Sequence, residues 1–175
     1  MKYFILDKDP LYTSSPHILG GFEKIRIRDI TLKRCGNIPA QTMLDIQGRA
    51  DTVFTDVITN PFFMISEKMY KITKKYDKNI IGKQVVLMDS VNKKAELYYL
   101  LIMPHIDCVS EKSELNPSRT KFIRPVIDPL RVSKSRNIFW LKDFKSNLPV
   151  ISLDLAESIL RRDARGISLT LMELE

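Results

Sequence analysis

The sequence predicts a single α+β domain over residues 1–175, with two strand–helix–strand units on one mixed or mainly antiparallel sheet. The two units are FFMISEKMYKITKKYDKNIIGKQVVLMD, from Phe62, and LPVISLDLAESILRRDARGISLTLME, from Leu148. Helices and strands are otherwise mixed without the regular alternation that is typical of a doubly wound parallel sheet. A chain of 175 residues is also long enough to bury one sizeable core.

The N-terminal third begins with an apolar stretch, KYFIL, that predicts a first strand. A turn-rich loop, YTSSPHILGG, follows. From Phe22 to Ile30 apolar side chains alternate with Lys24, Arg26 and Arg28, which predicts a half-buried strand with a basic outer face. VFTDVI, just before Asn60, predicts another strand.

The first unit opens with a short apolar strand that ends at Ser66, a residue suited to cap a helix. Met69, Ile72 and Tyr76 then recur at helical spacing and predict one buried helix face. KQVVLMD predicts the returning strand, and DSVNKK predicts a turn into ELYYLLIM. The near-continuous apolarity of ELYYLLIM predicts a central strand that is buried on both faces.

The second unit repeats this pattern with different residues. Val150 and Ile151 precede Ser152, the predicted cap, and an apolar stripe at helical spacing follows. Gly166 suits the left-handed backbone conformation found after many helices, and the last strand alternates from Ile167 onward. The two units are therefore predicted to lie on the same sheet.

Between the units lies a basic connecting region that contains several prolines, at about residues 104–147. Its part from Asn116 to Asn147 holds eight basic residues and two acidic ones, Asp128 and Asp143. The basic residues are Arg119, Lys121, Arg124, Arg131, Lys134, Arg136, Lys142 and Lys145. Such a balance predicts an acidic partner for this segment.

The same segment contains SKSRNIFWLKDFK, in which Phe139, Trp140 and Phe144 lie among basic residues. Aromatic side chains beside cations can stack on the bases of single-stranded nucleic acid. Trp and Arg are also the residue types that anchor protein interfaces. Both nucleic-acid binding and protein binding by residues 116–147 therefore remain open from composition alone.

Catalytic and cofactor motifs are not recognisable in the sequence. Two His and two Cys have no metal-ligand spacing, and no glycine-rich phosphate loop occurs. The nearest cluster is PHIDC, with His105, Asp107 and Cys108, but residues this close in sequence rarely form a nucleophile–base pair. We therefore expect no enzyme activity, no cofactor and no metal, with a buried thiol and a loop carboxylate in this cluster.

Targeting signals and membrane spans are also not recognisable. The apolar run in MKYFILDKDP is too short for a signal peptide, and the longest apolar run, from Leu97 to Pro104, is far below a membrane span. Cys35 and Cys108 are too few for a disulfide framework. The sequence predicts a soluble, cytoplasmic protein with reduced thiols and no membrane association.

The order of these elements resembles a family of immunity proteins from bacterial polymorphic toxin systems. The likeness rests on KYFIL, FMISEKM, IIGKQVVLMD, AELYYLLIMPHIDCVSEKSE, an isolated Trp and VISLDLAESILRRDARGISLTLM. Tyr98, Tyr99, Asp107 and Ser110 match a Tyr-rich strand and its loop in that family, although Cys108 stands where a second acid is expected. Ile151, Ser152 and Gly166 match the closing unit.

The resemblance implies a non-enzymatic antitoxin that binds and occludes a cognate toxin domain. Together with the charge bias, it predicts that Arg131, Arg136, Trp140 and Lys142 contact an acidic face of that toxin. The alternative is a nucleic-acid-binding protein that uses the basic and aromatic segment at residues 116–147.

Overall fold

The computed structural model describes residues 2–118, 120–133, 135–142 and 149–175. Several residues of the predicted basic segment lie outside the described residues: Arg119, Lys134, Asp143, Phe144, Lys145 and Asn147. In the described chain the strands are β1 (Tyr3–Lys8), β2 (Gln41–Asp45), β3 (Val57–Ile58), β4 (Met64–Ser66), β5 (Ile81–Asp89), β6 (Lys94–Ile102), β7 (His105–Ile106), β8 (Glu114–Leu115), β9 (Phe122–Arg124), β10 (Val126–Ile127), β11 (Ile138–Leu141), β12 (Pro149–Ser152) and β13 (Ile167–Leu174). The α-helices are α1 (Gly21–Lys24), α2 (Glu67–Tyr76) and α3 (Leu153–Leu160).

The prediction of one sheet with helices packed on it is wrong. In the part of the chain that the structure describes, strand exceeds helix, 37% against 19%, and the strands form three sheets, one of them a half-barrel. The five-stranded sheet has the order β2-β5-β6-β4-β3, and the six-stranded sheet has the order β10-β13-β1-β12-β11-β7. Strands β8 and β9 form a separate hairpin. The two strand–helix–strand units therefore lie in different sheets.

Each unit pairs with a central strand of its own, and the two units lie in separate sheets. Strand β6 lies between β4 and β5 and is antiparallel to both. In the other sheet β1 lies between β12 and β13 and is also antiparallel to both. The central position predicted for ELYYLLIM is confirmed, although the first three residues of β6, Lys94 to Glu96, are exposed.

The outer strands extend this correspondence between the two sheets. Strand β2 pairs with β5 in parallel, as β10 pairs with β13. Strand β3 pairs with β4 in an antiparallel manner, as β11 pairs with β12. The central strand β6 follows β5 through the turn at residues 90–93, whereas β1 opens the chain and lies beside β13. Each large sheet, with the helix of its unit, forms one half of the protein. The strands of the two halves have the same spatial arrangement, but their order along the chain differs by a circular permutation.

The predicted helix caps are confirmed in both halves, and they use the same network. Ser66 accepts a hydrogen bond from the backbone N–H of Met69 and donates to the Asp56 carboxylate. Ser152 accepts from the N–H of Leu155 at 3.4 Å and donates to Asn137 Oδ1 at 2.8 Å. Asp56 and Asn137 each come directly before the strand that pairs with the first strand of the unit, β3 or β11.

Replacement of Ser66 or Ser152 by alanine is expected to lower the free energy of unfolding by about 1–2 kcal/mol each. Each change removes the cap of the helix and leaves Asp56 or Asn137 with one hydrogen bond fewer. Urea denaturation of the two variants would measure this, with Ser90→Ala in the exposed β5–β6 turn as the control. A loss confined to one of the two caps would contradict the equivalence of the halves.

The two halves also hold each other through these cap acceptors. Asp56 accepts from the backbone N–H of Arg165, after α3, at 2.6 Å, and its own N–H donates to the Arg165 carbonyl at 2.9 Å. Asn137 donates through Nδ2 to the carbonyl of Tyr76, at the end of α2, at 3.0 Å. Each half therefore fixes the segment that follows the other half's helix.

Among the described residues, three clusters of buried apolar side chains form the core. One is shared by the two large sheets and helices α2 and α3, with Leu6, Leu101, Met69 and Leu155 among its members. A second covers the other face of the five-stranded sheet with residues 18–38. The third covers the other face of the six-stranded sheet with residues 106–132.

The strand predicted from Phe22 to Ile30 is wrong. This stretch forms α1 and a 3₁₀ turn at Ile27–Asp29, held by local hydrogen bonds such as Ile25 N–H to the Gly21 carbonyl at 3.0 Å. Ile25 is buried under the five-stranded sheet, but Ile27 is exposed. The alternation of apolar and basic residues therefore comes from the buried Ile25 among exposed neighbours, not from a pleated strand.

Candidate functional site

The basic residues predicted to bind a partner are paired with carboxylates of this chain. Arg131 lies 3.1 Å from Asp128 and 3.8 Å from Asp107, and Lys142 lies 3.8 Å from Asp107. The basic excess of residues 116–147 is therefore partly offset within the fold. Arg131 and Lys142 are more than half exposed, so they remain accessible from solvent.

Arg136, another of the predicted contacts, joins the two halves. Its guanidinium Nη1 lies 2.7 Å from Asp77 Oδ2, just after α2. The side chain of Asp77 is only 6% exposed and that of Arg136 is 27% exposed. This pair is the side-chain counterpart of the neighbouring contact between Asn137 and Tyr76.

Trp140, the fourth predicted contact, lies in strand β11 and is 3% exposed. Its ring packs edge-on against Phe63, with centroids 5.4 Å apart, and lies 6.4 Å from the ring of His105. The indole also lines a cleft of about 740 Å³ between the two large sheets. Trp140 thus belongs to the core and to one wall of this cleft.

The cleft combines an apolar lining with a polar rim. Its apolar residues come mainly from both large sheets, from the segment that covers the five-stranded sheet and from the β8–β9 hairpin: Ile5, Pro10, Ile27, Ile30, Pro61, Phe62, Phe63, Leu100, Leu101, Phe122 and Trp140. Its charged residues are Asp7, Lys8 and Lys121. Such a lining suits an apolar side chain of a ligand or partner.

The PHIDC cluster is built from a buried thiol and an exposed carboxylate, as expected from the sequence. Cys108 is 0% exposed, and burial, with a smaller effect of the Asp107 charge, raises the pKa of its thiol to about 12. Burial also lowers the pKa of His105. Asp107 faces Arg131 and Lys142. A thiol with so high a pKa remains protonated at neutral pH and is a poor nucleophile.

We therefore expect Cys108 to be unreactive toward a thiol reagent such as DTNB in the folded protein, whereas the half-buried Cys35 reacts. One thiol should react under native conditions and two in guanidinium chloride, because unfolding exposes Cys108 and lowers its pKa. The Cys35→Ser variant is the control, because Cys108 is then the single thiol of the chain. Rapid reaction of this folded variant near neutral pH would contradict the assignment of Cys108 as an inert core thiol.

A different surface carries exposed cations and apolar side chains, and we call it the basic–apolar face. Its exposed apolar residues are Leu19, Phe22, Ile27, Leu32 and Met43. Its exposed basic residues are Lys24, Arg26, Arg28, Lys33 and Arg34. Among the described residues, none of these five cations has a carboxylate within 4.0 Å.

Short helical turns and buried anchors position this face. Ile25 and Ile38 are buried against the five-stranded sheet, while most of the residues between them, including the five cations except Lys24, are exposed. The Lys24 ammonium donates to the carbonyl of Met43 in the edge strand β2, at 2.7 Å. Phe22 packs edge-on against Phe62, with centroids 5.5 Å apart. The face is therefore tied to the sheet although its side chains are exposed.

In the sequence, three of these cations, Lys24, Arg26 and Arg28, are predicted only as the outer face of a strand. The signal that could have found the site is local density: residues 24–34 hold five basic residues and one acid, Asp29. That density exceeds the density in residues 116–147. What the sequence could not indicate is which cations find carboxylate partners after folding.

Comparison with known proteins identifies no relative. No protein-family model matches the sequence, and no curated protein matches it at a significant level. Among the helices of the described residues, none has both the length and the apolarity needed to cross a membrane.

Proposed function

We propose that the chain is an immunity protein that binds and neutralises a cognate toxin domain in the cytoplasm, without catalysis. The observation that carries this proposal is the basic–apolar face, where five cations that have no carboxylate partner among the described residues lie among exposed apolar side chains. The order of sequence elements described above supports the same function. The partner is a protein with an acidic face.

The composition of this face supports a protein partner. Arginine and aromatic residues are enriched at the anchoring positions of protein interfaces, and Arg26, Arg28, Arg34 and Phe22 supply both types here. Cations that have no internal carboxylate can pair with acidic residues of a partner. They also accelerate association with an oppositely charged surface.

Inhibition by occlusion needs a surface that keeps its shape when it binds. A standard interface covers about 800 Å² per partner. The cap network between Asp56 and Arg165, and between Asn137 and Tyr76, supports such rigidity. The cleft adjoins the face through Ile27 and can receive an apolar anchor of the toxin.

Nucleic-acid binding is the second candidate function, because unpaired cations next to Phe22 also suit phosphates and bases. Four basic residues of the segment first considered for this role, Arg124, Arg131, Arg136 and Lys142, pair with carboxylates, which reduces its attraction for phosphate. Leu32 and Met43 are exposed apolar side chains that contact nucleic acid less favourably than protein. The observations therefore favour a protein partner.

The test is capture of the tagged chain from its host with and without nuclease, followed by reconstitution with the captured partner. A nuclease-resistant complex of defined stoichiometry, together with protection of cells that express the partner's toxin domain, is expected. Phe22→Asp/Leu32→Asp should abolish both, because it replaces two exposed apolar side chains of the face by negative charges. Val91→Asp/Leu130→Asp, at exposed apolar residues elsewhere, is the matched control.

Recovery of nucleic acid without a stable protein partner would overturn the immunity proposal and favour the second candidate. Equal loss of protection in both double variants would overturn the assignment of the face. Circular dichroism of each variant would establish that it remains folded.

A further inference from the structure

A shallow pocket of about 450 Å³ lies at one end of the basic–apolar face. Its basic wall contains Arg28, Lys33 and Arg34, and its opposite wall contains Met103, Pro104 and His105. Thr31 and Leu32 complete the lining. The pocket therefore joins the segment that covers the five-stranded sheet to the residues that connect the two large sheets.

Local hydrogen bonds hold the basic wall in place. The backbone N–H groups of Arg34 and Cys35 both donate to the carbonyl of Thr31, at 3.2 and 2.9 Å. The N–H of Asp29 donates to the carbonyl of Arg26 at 2.9 Å, in the 3₁₀ turn that carries Arg28. Consecutive turns of this kind bring side chains that are five and six residues apart to the same pocket.

The electrostatics of the pocket are one-sided. The described residues that line it include three cations and no carboxylate. The nearest acid in sequence, Asp29, is buried and accepts a hydrogen bond from Asn37 at 3.4 Å. None of Arg28, Lys33 and Arg34 is in an ion pair among the described residues. Three like charges around one depression favour an anionic occupant.

Resting on the proposed function, we propose that this pocket binds an acidic segment of the toxin through its carboxylates. Two arginines can each hold a carboxylate with paired hydrogen bonds, and Lys33 adds a point charge. Leu32, Met103 and Pro104 give the pocket an apolar wall that can pack against the aliphatic part of a glutamate or a neighbouring apolar residue. An acidic peptide segment thus matches both halves of the lining.

A carboxylate segment fits better than a nucleic-acid backbone. Nucleic acid is bound by cations that follow its backbone along a groove. Here three exposed cations that have no carboxylate partner among the described residues, Arg28, Lys33 and Arg34, line one depression with an apolar wall. The pocket therefore favours a short acidic segment over a continuous phosphate chain.

The two histidines of the chain provide a direct readout. His105 lines this pocket, whereas His17 lines a different one. In a proton NMR titration with a hexaglutamate peptide at constant ionic strength, the imidazole signals of His105 should shift saturably and those of His17 should not. Hexaglutamine, which lacks charge, should shift neither.

The double variant Arg28→Glu/Arg34→Glu should weaken hexaglutamate binding at least tenfold, because two charge-assisted hydrogen-bonding groups become repulsive. Lys75→Glu/Lys78→Glu changes the net charge equally at exposed residues in and just after α2, and it should weaken binding less than twofold. Arg28→Lys/Arg34→Lys keeps the charge but loses the paired hydrogen bonds, and it should give an intermediate affinity. Equal weakening in the two glutamate variants, or no shift of His105, would overturn the proposal.

A hexathymidylate oligonucleotide tests for nucleic acid, the other class of partner. Tighter binding of this oligonucleotide than of hexaglutamate, with the same sensitivity to Arg28→Glu/Arg34→Glu, would overturn the acidic-segment assignment. With the captured toxin, wild-type affinity of Arg28→Glu/Arg34→Glu would refute the pocket and leave the immunity function intact. The immunity function itself fails if the wild-type chain binds no toxin, whatever the peptide titration shows.

Discussion

Arg136→Ala is expected to lower the free energy of unfolding by about 2–4 kcal/mol. The change leaves the carboxylate of Asp77, which is 6% exposed, without its guanidinium partner at 2.7 Å. A buried charge without a partner costs more than the pair contributed, and here it lies where the two halves meet. Urea denaturation followed by circular dichroism would measure the loss.

Two comparisons separate the effect of the buried charge from other effects of removing Arg136. Asp77→Asn in the Arg136→Ala background should recover part of the stability, because it removes the unpaired charge. Arg131→Ala should cost less than about 1 kcal/mol, because its ion pairs with Asp128 and Asp107 are at the surface. If Arg136→Ala unfolds like the wild type but loses toxin binding, its predicted role as a partner contact is supported instead.

Trp140→Ala is expected to lower the free energy of unfolding by about 3–5 kcal/mol. The ring is 3% exposed and packs on Phe63, in the core cluster that both sheets share. Its removal leaves a cavity that the surrounding strands cannot fill. Thermal and urea denaturation would both report the change.

The matched controls for Trp140 are a conservative and a remote substitution. Trp140→Phe should lose less than half as much stability as Trp140→Ala, because a smaller aromatic ring keeps part of the contact with Phe63. Leu130→Ala, at a residue that is 93% exposed, should have almost no effect. A loss below about 1 kcal/mol for Trp140→Ala would contradict the assignment of this ring to the core.

The local elements were predictable because their causes are close in sequence. Ser66 and Ser152 lie directly before stripes of apolar residues at helical spacing, and both cap helices as predicted. Gly166 has the positive φ that its position predicts. The turn DSVNKK joins two strands that pair over their full length from Ile81 to Ile102. Each of these features depends on a few neighbouring residues.

The candidate site was less predictable because it depends on pairing between distant charges. The sequence distinguishes basic residues but not which of them find carboxylates. Arg136 meets Asp77, 59 positions away, and Arg124 meets Glu173, 49 positions away. The cations from Lys24 to Arg34 have no such pairs among the described residues, so the basic–apolar face emerged only from the three-dimensional arrangement.

The sequence by itself determined the two Ser-capped units, the β5–β6 hairpin and the order of these elements along the chain. Only the tertiary structure decided that each unit belongs to its own sheet. That choice depends on strands β1 and β6, each of which lies between the two strands of one unit. Strand β6 follows its unit in the sequence, whereas β1 precedes its unit. Periodicity specifies which face of a strand is apolar, but it carries no information about which strand lies beside it.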